Sequence, residues 1–480
     1  MAEKSENNEK VKMKAGLEIH QQLDSHKLYC NCPSLLRNDE PDFLVNRRLH
    51  AVAGEGGEID VAAQYESGLD KDFIYQGYDT TCLVELDEEP PHLINQEALK
   101  IGLHISMLLN CEIVPVSQIM RKTVIDGSNT SGFQRSVLIA RNGWIDTSFG
   151  KVGIDYVYLE EDAARSVGEE DNKKVFRLDR LGIPLVEIVT APDIKTPEQA
   201  KELALQIGDI LRSCNVKRGI GTIRQDINVS IPGHPRAEIK GFQDPDIFVQ
   251  VVNKEIERQS NDLKNKKELK MEVRGANPDA TTKFLRPLPG SARMYPETDL
   301  PLLKISKQII DEAKRTLPKL RSEIRKQLSK KGLNEEQIKL VLREGRLEEF
   351  ENLIKIINEP KFIYQVLIEI PKEVIQHEGK GEISIDVIEN IVNEISEGRL
   401  ARNDVKHVMK KIVKGELFEE AIKIEKIDKS EIEAEIAKLI KQKPGLSIAG
   451  YMGLIMGEFK GKVNGKEIKE MLEKTLGRKF

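Results

Sequence analysis

The stretch from Tyr156 to Gly241 constrains this chain most, because four strand-like segments within it each carry acidic residues among aliphatic or β-branched neighbours. They read YVYLEEDAAR, IPLVEIVTAPD, GTIRQDINVSI and RAEIKG, and they hold Glu160, Glu161, Glu187, Asp226 and Glu238. A buried carboxylate costs several kcal/mol unless it is paired or binds a metal, so a cluster of acids on one sheet face is the simplest arrangement. The last two segments make the clearest case. Ile223, Ile227, Val229 and Ile231 alternate with Arg224, Asp226, Asn228 and Ser230, the period of a strand with one buried and one polar face. PGHP supplies a turn, and Glu238 and Lys240 return at the same two-residue spacing. With an odd number of loop residues, Asp226 and Asn228 share a face with Glu238 and Lys240, a surface suited to Mg²⁺ and polyphosphate. A solvated face with cross-strand ion pairs is the alternative reading.

The 480 residues exceed what one core holds, so two to four domains are expected. Hydrophobic content of 39% and charged content of 32% describe a soluble globular protein. No apolar run approaches the roughly 18 residues of a membrane span, and the first residues are polar without a signal-peptide core, so a cytosolic protein is expected. A net charge of −5 excludes a polycation that coats nucleic acid indiscriminately; any RNA contact must come from local patches. Five cysteines argue against a disulfide framework. Cys30, Cys32 and Cys82 are three candidate thiolates without a second CxxC, which reads as a free cysteine set rather than a zinc site.

Taken in order, the chain begins with KMKAGLEIHQQLD, where Glu18 and His20 stand two apart and share a strand face. Such a pair can complete an oxygen-rich metal site. Residues 28–91 read as glycine-rich loop, and residues 95–111 as an amphipathic helix. RKTVIDGSNTSGFQRS follows, with Arg121, Lys122, Ser128, Asn129, Thr130, Ser131, Gln134 and Arg135 as donors of the kind that grip phosphate and ribose. Gly127 and Gly132 let backbone amides in that loop approach an anion. No P-loop and no protein-kinase signature occurs. A serine-amidase reading through Ser128 or Ser131 needs an activating base that the sequence does not supply.

Thr196 and Pro197 open a helix that carries Ala200, Leu203, Ile207 and Leu211 inward. A Pro/Gly-crowded segment ends near residue 305, and the remainder reads as helices, which divides the chain at 1–304, 305–398 and 399–480. In the last part, Lys406, Lys410 and Lys414 form a stripe at four-residue spacing, and Lys460 and Lys462 add a second basic element. Two such elements in one small domain point to RNA, against the plain reading of a solvated face.

GLEIHQQLD, RKTVIDGSNTSGFQRS, YLEEDAAR, RLDRLGIPLVEIVTAPDI, TIRQDINVSI, AEIKG and FLRPLPGSARMYPETD together resemble GatE, a family of archaeal Glu-tRNA(Gln) amidotransferase subunits whose bacterial and organellar relative is GatB. The resemblance implies an α+β fold: a mixed-sheet cradle domain holding ATP and Mg²⁺, a helical domain, and a small helical tail similar to the YqeY family that binds tRNA. It implies that ATP phosphorylates the glutamyl side chain of misacylated Glu-tRNA(Gln). Ammonia from an asparaginase-like glutaminase partner, GatD, then displaces the phosphate. On this reading Glu18, His20, Glu160, Glu161, Glu187, Asp226 and Glu238 are catalytic, and all but Glu160 are metal ligands. Arg121, Lys122, Ser128, Thr130, Ser131, Arg135 and Lys240 hold the nucleotide. GatB of an Asp/Glu-tRNA amidotransferase and a non-catalytic tRNA-binding scaffold are the competing identities. One departure stands out: only about 45 residues separate AEIKG from the RPLPG segment, too few for the domain that GatE carries there.

Overall fold

The computed structural model describes residues 12–53, 57–170, 172–242, 245–290, 293–378, 382–423, 429–458 and 465–477. The chain divides into two compact units, residues 1–322 and 323–480. The first is built on a mixed sheet whose strands are β1 (Lys14–Gln22), β2 (Ile119–Thr123), β3 (Phe133–Thr147), β4 (Gly150–Glu161) and β5 (Pro184–Thr190), continued by β6 (Ile223–Ser230), β7 (Ala237–Phe242), β8 (Glu272–Ala276), β9 (Thr282–Pro287) and β10 (Met294–Pro296). Their order across the sheet is β9-β8-β7-β6-β1-β5-β4-β3-β2-β10. The N-terminal strand therefore lies at the centre, between the segments that bear Glu187 and Asp226. Neighbours run antiparallel except β7 and β8, which are parallel.

Three helices cover one face: α1 (Gln96–Leu108), α2 (Pro197–Ser213) and α3 (Pro245–Lys264). Asn95 caps α1 by accepting from the amides of Glu97 and Ala98, and Thr196 caps α2 by accepting from Gln199, with Pro197 in the first turn. Ile101, Leu103 and Ile105 of α1 and Leu203, Ile207 and Leu211 of α2 are buried in one core with Leu17, Ile19, Val137, Ile139, Val157, Leu159, Val186, Ile188, Ile227 and Ile239 from the strands. Gly102 is what lets α1 approach this closely: a Cβ there would meet Ile139 Cδ1 at 2.8 Å. The alternation that buries these residues turns their neighbours in sequence to the opposite face.

A second sheet pairs Phe43–Arg47, Asp72–Gly77, Lys173–Arg177 and Arg165–Glu170. Two of its strands lie in the region that reads as loop in the sequence. They are short: Phe43–Arg47 pairs with Asp72–Gly77, which pairs in turn with Lys173–Arg177 about a hundred positions further on. The interval between AEIKG and RPLPG is filled by α3 and β8, one crossover joining parallel strands.

From residue 323 onward the secondary structure of the described residues is helical. Pro360 opens a helix at its first turn. Pro371 instead lies inside a continuous helical run, and the π-turn Gln365–Glu369 directly precedes it. Proline cannot donate to a residue one turn earlier, and its ring displaces that carbonyl; the wider turn accommodates both effects. One apolar core runs from Leu328 to Ala421 and includes Val405, Val408 and Met409. Ile432, Ile436, Leu439, Tyr451, Ile455, Ile468 and Leu472 form another, among the helices Lys429–Gln442, Ile448–Glu458 and Gly465–Thr475. The cores thus group the chain differently from the divisions at 304 and 398. Residues 305–320 pack in the sheet unit's core, and the helix Val405–Val413 joins the helices before it. Among the described residues no helix is long and apolar enough to cross a membrane.

Candidate active site

Strand register assembles the polar face. Glu18 stands opposite Asp226 on β6, and His20 opposite Glu187 on β5 and Arg224 on β6. Leu185, two residues before Glu187, pairs with Glu160 on β4, which in turn pairs with Ser136 on β3. Asn228 pairs with Glu238 on β7, the parity required for Asp226 and Lys240 to share their face. The result is a pocket of about 540 Å³ lined by Glu18, His20, Lys122, Glu160, Glu187 and Asp226, with Glu238, Lys240 and several arginines.

At its centre, the ligand atoms of Glu18, His20 and Glu187 lie within 4.8 Å of one another. His20 Nε2 is 3.3 Å from Glu187 Oε2, 3.7 Å from Glu18 Oε1 and 3.8 Å from Glu160 Oε2. Burial opposes charging His20, yet the Glu187 hydrogen bond and the surrounding carboxylates lift its pKa to about 9. Burial, and next the charge of Glu187, push Glu18 up to about 7. Lys122 bridges two acids: its Nζ is 2.9 Å from Glu187 Oε2 and contacts Glu160 Oε1. Burial resists charge on Glu187, but Lys122 and His20 hold it well below the usual carboxylate range, whereas burial and Glu187 raise Glu160. Lys240 Nζ lies 2.6 Å from both Asp226 and Glu238. These two acids line the same pocket but are engaged by an ammonium, apart from the three-residue cluster.

Glu161 does not join them. As the neighbour of Glu160 on one strand it faces the other side of the sheet, where it pairs with Arg135 at 3.3 Å. Arg135 in turn bonds Glu297 at 2.8 Å, and Arg121 reaches Glu297 and Asp299 beneath the ring of Phe133. The expected grip of the GSNTSG loop on nucleotide is likewise committed elsewhere. Ser128 Oγ donates to Asp126, Thr130 Oγ1 to the Glu85 carbonyl and Ser131 Oγ to the Phe133 carbonyl. From that stretch, Lys122 and Gln134 line the pocket.

Other lining residues went unassigned in the sequence. Asp162, fully buried, accepts from Gln22 at 2.7 Å and from Arg224 at 2.9 Å. Arg236, Arg286 and Arg293 also line the pocket, and none forms a salt bridge among the described residues. Arg286 and Arg293 help lower the Glu238 pKa, after the larger contribution of Lys240 against burial. Their signal was composition alone, arginines in a Pro/Gly-rich segment without periodicity.

In the helical unit, Lys406 pairs with Glu373, and Lys414 Nζ is 3.5 Å from Glu378. Lys410 forms no ion pair among the described residues. Lys460 and Lys462 lie outside the described residues.

The GatB/GatE catalytic domain model matches residues 13–311. The GatE-type chain of the glutamyl-tRNA(Gln) amidotransferase from Methanocaldococcus jannaschii is 36% identical over 627 aligned positions, covering 98% of this chain and 99% of that protein. Its counterparts from Methanosarcina barkeri, 34% identical over 97% of each chain, and Sulfurisphaera tokodaii, 32% identical over 98% of this chain and 99% of that protein, are similar in extent. Each alignment is longer than the 480 residues here, so these relatives carry chain that this one lacks. With its strand order, its acidic pocket and these matches along nearly its whole length, the chain belongs to the GatB/GatE family, on its GatE side.

Proposed function

We propose that this chain is the component of a glutamyl-tRNA(Gln) amidotransferase that converts Glu-tRNA(Gln) to Gln-tRNA(Gln). ATP phosphorylates the glutamyl γ-carboxylate, and ammonia then displaces phosphate to leave the amide. The observation that carries this reading is a single pocket containing both a convergent Glu18, His20 and Glu187 donor set and arginines that form no salt bridge among the described residues. A carboxylate-rich set with one imidazole fits a hard divalent ion such as Mg²⁺. Bound there beside Glu160, the ion would offset repulsion between the anions brought together in phosphoryl transfer.

The chain's own residues do the remaining work. His20 gives up its proton before it can ligate. Lys122 and Lys240, held by carboxylates on the pocket face, are placed to turn toward phosphate oxygens when those carboxylates take a cation. Arg236, Arg286 and Arg293 grip the polyphosphate. Arg224, opposite His20 on β6, is fixed by Asp162.

Ammonia is supplied by an asparaginase-like partner, GatD. Ser128 donates to the weakly basic Asp126 carboxylate and Ser131 to a carbonyl, neither to an imidazole or an amine, which suits a chain without its own amidase nucleophile. The tail that the sequence reading sets at residues 399–480, similar there to the YqeY family, contacts the tRNA body. The catalytic work lies in residues 1–322, and the protein acts in the cytoplasm. The test is ATP turnover by the purified chain with and without Glu-tRNA(Gln). Turnover only with the charged tRNA supports the assignment. No turnover even with partner and tRNA points to the scaffold reading, and ammonia release by the chain alone points to an amidase.

A further inference from the structure

The outermost strands of the sheet order, β9 and β10, follow one another in the chain: β9 ends at Pro287 and β10 begins at Met294. Ten strands about 4.8 Å apart have nine spacings, which laid flat would set the edges about 43 Å from each other. The seven residue steps from Pro287 to Met294 span at most about 25 Å. The sheet therefore curls until its edges approach, and the connection between them passes over the polar face, where Arg286, Leu288, Pro289, Gly290, Arg293 and Met294 line the pocket. Strand pairing fixes its two ends. Arg286 stands opposite Val273, the Leu288 amide donates to the Met271 carbonyl, and Met294 stands opposite Lys122.

Between those ends a residue far away in sequence holds the connection. The Gly290 amide donates to Asp60 Oδ2 at 2.8 Å. The other carboxylate oxygen, Oδ1, accepts from the amides of Ala62 and Ala63 at 3.0 and 3.1 Å and so caps the helix Val61–Ser67. That helix is tied to β9 in turn, since the Tyr65 ring meets Phe284 edge-on with centroids 6.4 Å apart. Asp60 is buried, and it lines a small cavity together with Arg286, Pro289 and Arg293. Both arginines thus border this cavity on one side and the pocket on the other.

We propose that Asp60 is a positioning residue for the phosphate grip: by clipping the Gly290 amide it sets where Arg286 and Arg293 stand over the pocket. The role rests on the proposed function, in which those arginines hold the polyphosphate. The choice of side chain supports it. Serine, threonine and asparagine also cap helices well, but none of them offers a second acceptor oxygen. A carboxylate serves the helix and the connection at once, and the three amides it accepts from offset the cost of burying its charge. Guanidinium–phosphate bonds are directional, so a shift of the connection by about 1 Å weakens them sharply. Asp60 touches no reacting group; it acts through the arginines.

The experiment is Asp60→Asn in the full chain, with Asp60→Ser carrying the test should the first fail to fold. Either residue keeps a cap for the helix and loses the acceptor for Gly290. The ATP concentration for half-maximal Glu-tRNA-dependent turnover should rise about tenfold, with kcat and Mn²⁺ affinity within about twofold of wild type. Added to Arg286→Ala/Arg293→Ala, the same change should have little further effect, because its action runs through those side chains. Hydrogen exchange reads the clip without any activity: the Gly290 amide should exchange about tenfold faster or more, while the Gln64 amide, bonded to the Asp60 carbonyl, keeps its wild-type rate. A wild-type ATP requirement in the variant, a fall in kcat alone, an effect undiminished without the two arginines, or unchanged exchange at Gly290 would each overturn the proposal while wild-type turnover stands. A wild-type chain that turns over no ATP with partner and charged tRNA present would strike the polyphosphate reading itself, and this role with it.

Discussion

Lys122→Met isolates the pocket's central tension. The ammonium lies 2.9 Å from Glu187 and touches Glu160, whose side chains are 7% and 1% exposed. Methionine keeps most of the stem and removes the charge, leaving two buried carboxylates without their shared cation. Removing one partner of a buried pair costs about 3–5 kcal/mol, so the metal-free variant should melt several degrees below the wild type. A divalent ion competes with this ammonium for Glu187. In the variant the competition is gone, and metal affinity should rise by tenfold or more, equivalent to at least about 1.4 kcal/mol. Calorimetric titration of metal-free chains with Mn²⁺, paired with melting curves across Mn²⁺ concentration, reads both effects. Mn²⁺ should restore more stability to the variant than to the wild type. ATP turnover should nevertheless fall, since the cation that would meet the phosphate is missing. An unchanged Mn²⁺ affinity with an unchanged melting point would refute the reasoning, because Lys122 would then not be holding the metal ligands.

Glu187→Gln should abolish Mn²⁺ binding at the pocket, whereas Glu161→Gln should lower the melting temperature through Arg135 and leave Mn²⁺ affinity near wild type; loss of binding in Glu161→Gln would contradict the facing of β4. Metal affinity should climb with pH, first as Glu18 loses its proton near 7 and further as His20 loses its own near 9. The stability signs differ in origin. A raised Glu18 pKa takes stability from the metal-free fold as pH rises through 7, while the contribution of charged His20 is full below its ordinary 6.5 and lost as pH passes 9. Glu18→Gln should flatten the lower limb of the affinity profile measured by Mn²⁺ titration from pH 6 to 9. Arg286→Ala/Arg293→Ala should raise the ATP concentration needed for half-maximal turnover by tenfold or more without changing Mn²⁺ affinity; unchanged ATP dependence would remove the arginines from the site. A chain ended after Lys423, which keeps the core from Leu328 to Ala421 intact, should bind tRNA more weakly and with a shallower salt dependence. Full affinity in that shortened chain would make the tail helices structural only.

What could be read without coordinates follows from how information is carried along a chain. Period-two alternation is local, so β6, with Ile227 and Val229 on one face and Asp226 on the other, was legible, as was the cap at Thr196. Register between distant strands is not local, and it alone brings Glu18, His20 and Glu187 together. The same alternation shows that Glu160 and Glu161 cannot share a face, a constraint that the acid count obscures. The donors of the GSNTSG loop look available in sequence, since their acceptors at Glu85 and Phe133 are backbone carbonyls with no side-chain signature. The lysine stripe fails as a simple basic patch for a related reason. Glu373 and Glu378, which neutralise Lys406 and Lys414, come from a neighbouring helix.

If the pocket holds metal and polyphosphate as proposed, its charge arrangement couples the two. Nearly every acid on the polar face has an internal cation: Lys122 for Glu160 and Glu187, Lys240 for Asp226 and Glu238, Arg224 for Asp162. This neutralisation lets so many carboxylates stand close together before any ligand arrives. It also means that a divalent ion drawing Glu187 toward itself loosens Lys122, and a loosened ammonium inside a pocket already lined by Arg236, Arg286 and Arg293 is a ready phosphate contact. Metal therefore improves the site for polyphosphate. Because coupling between two binding equilibria is reciprocal, polyphosphate must improve the site for metal by the same factor. On the proposed function, such coupling would keep ATP from being gripped for reaction before the ion that assists its transfer is in place.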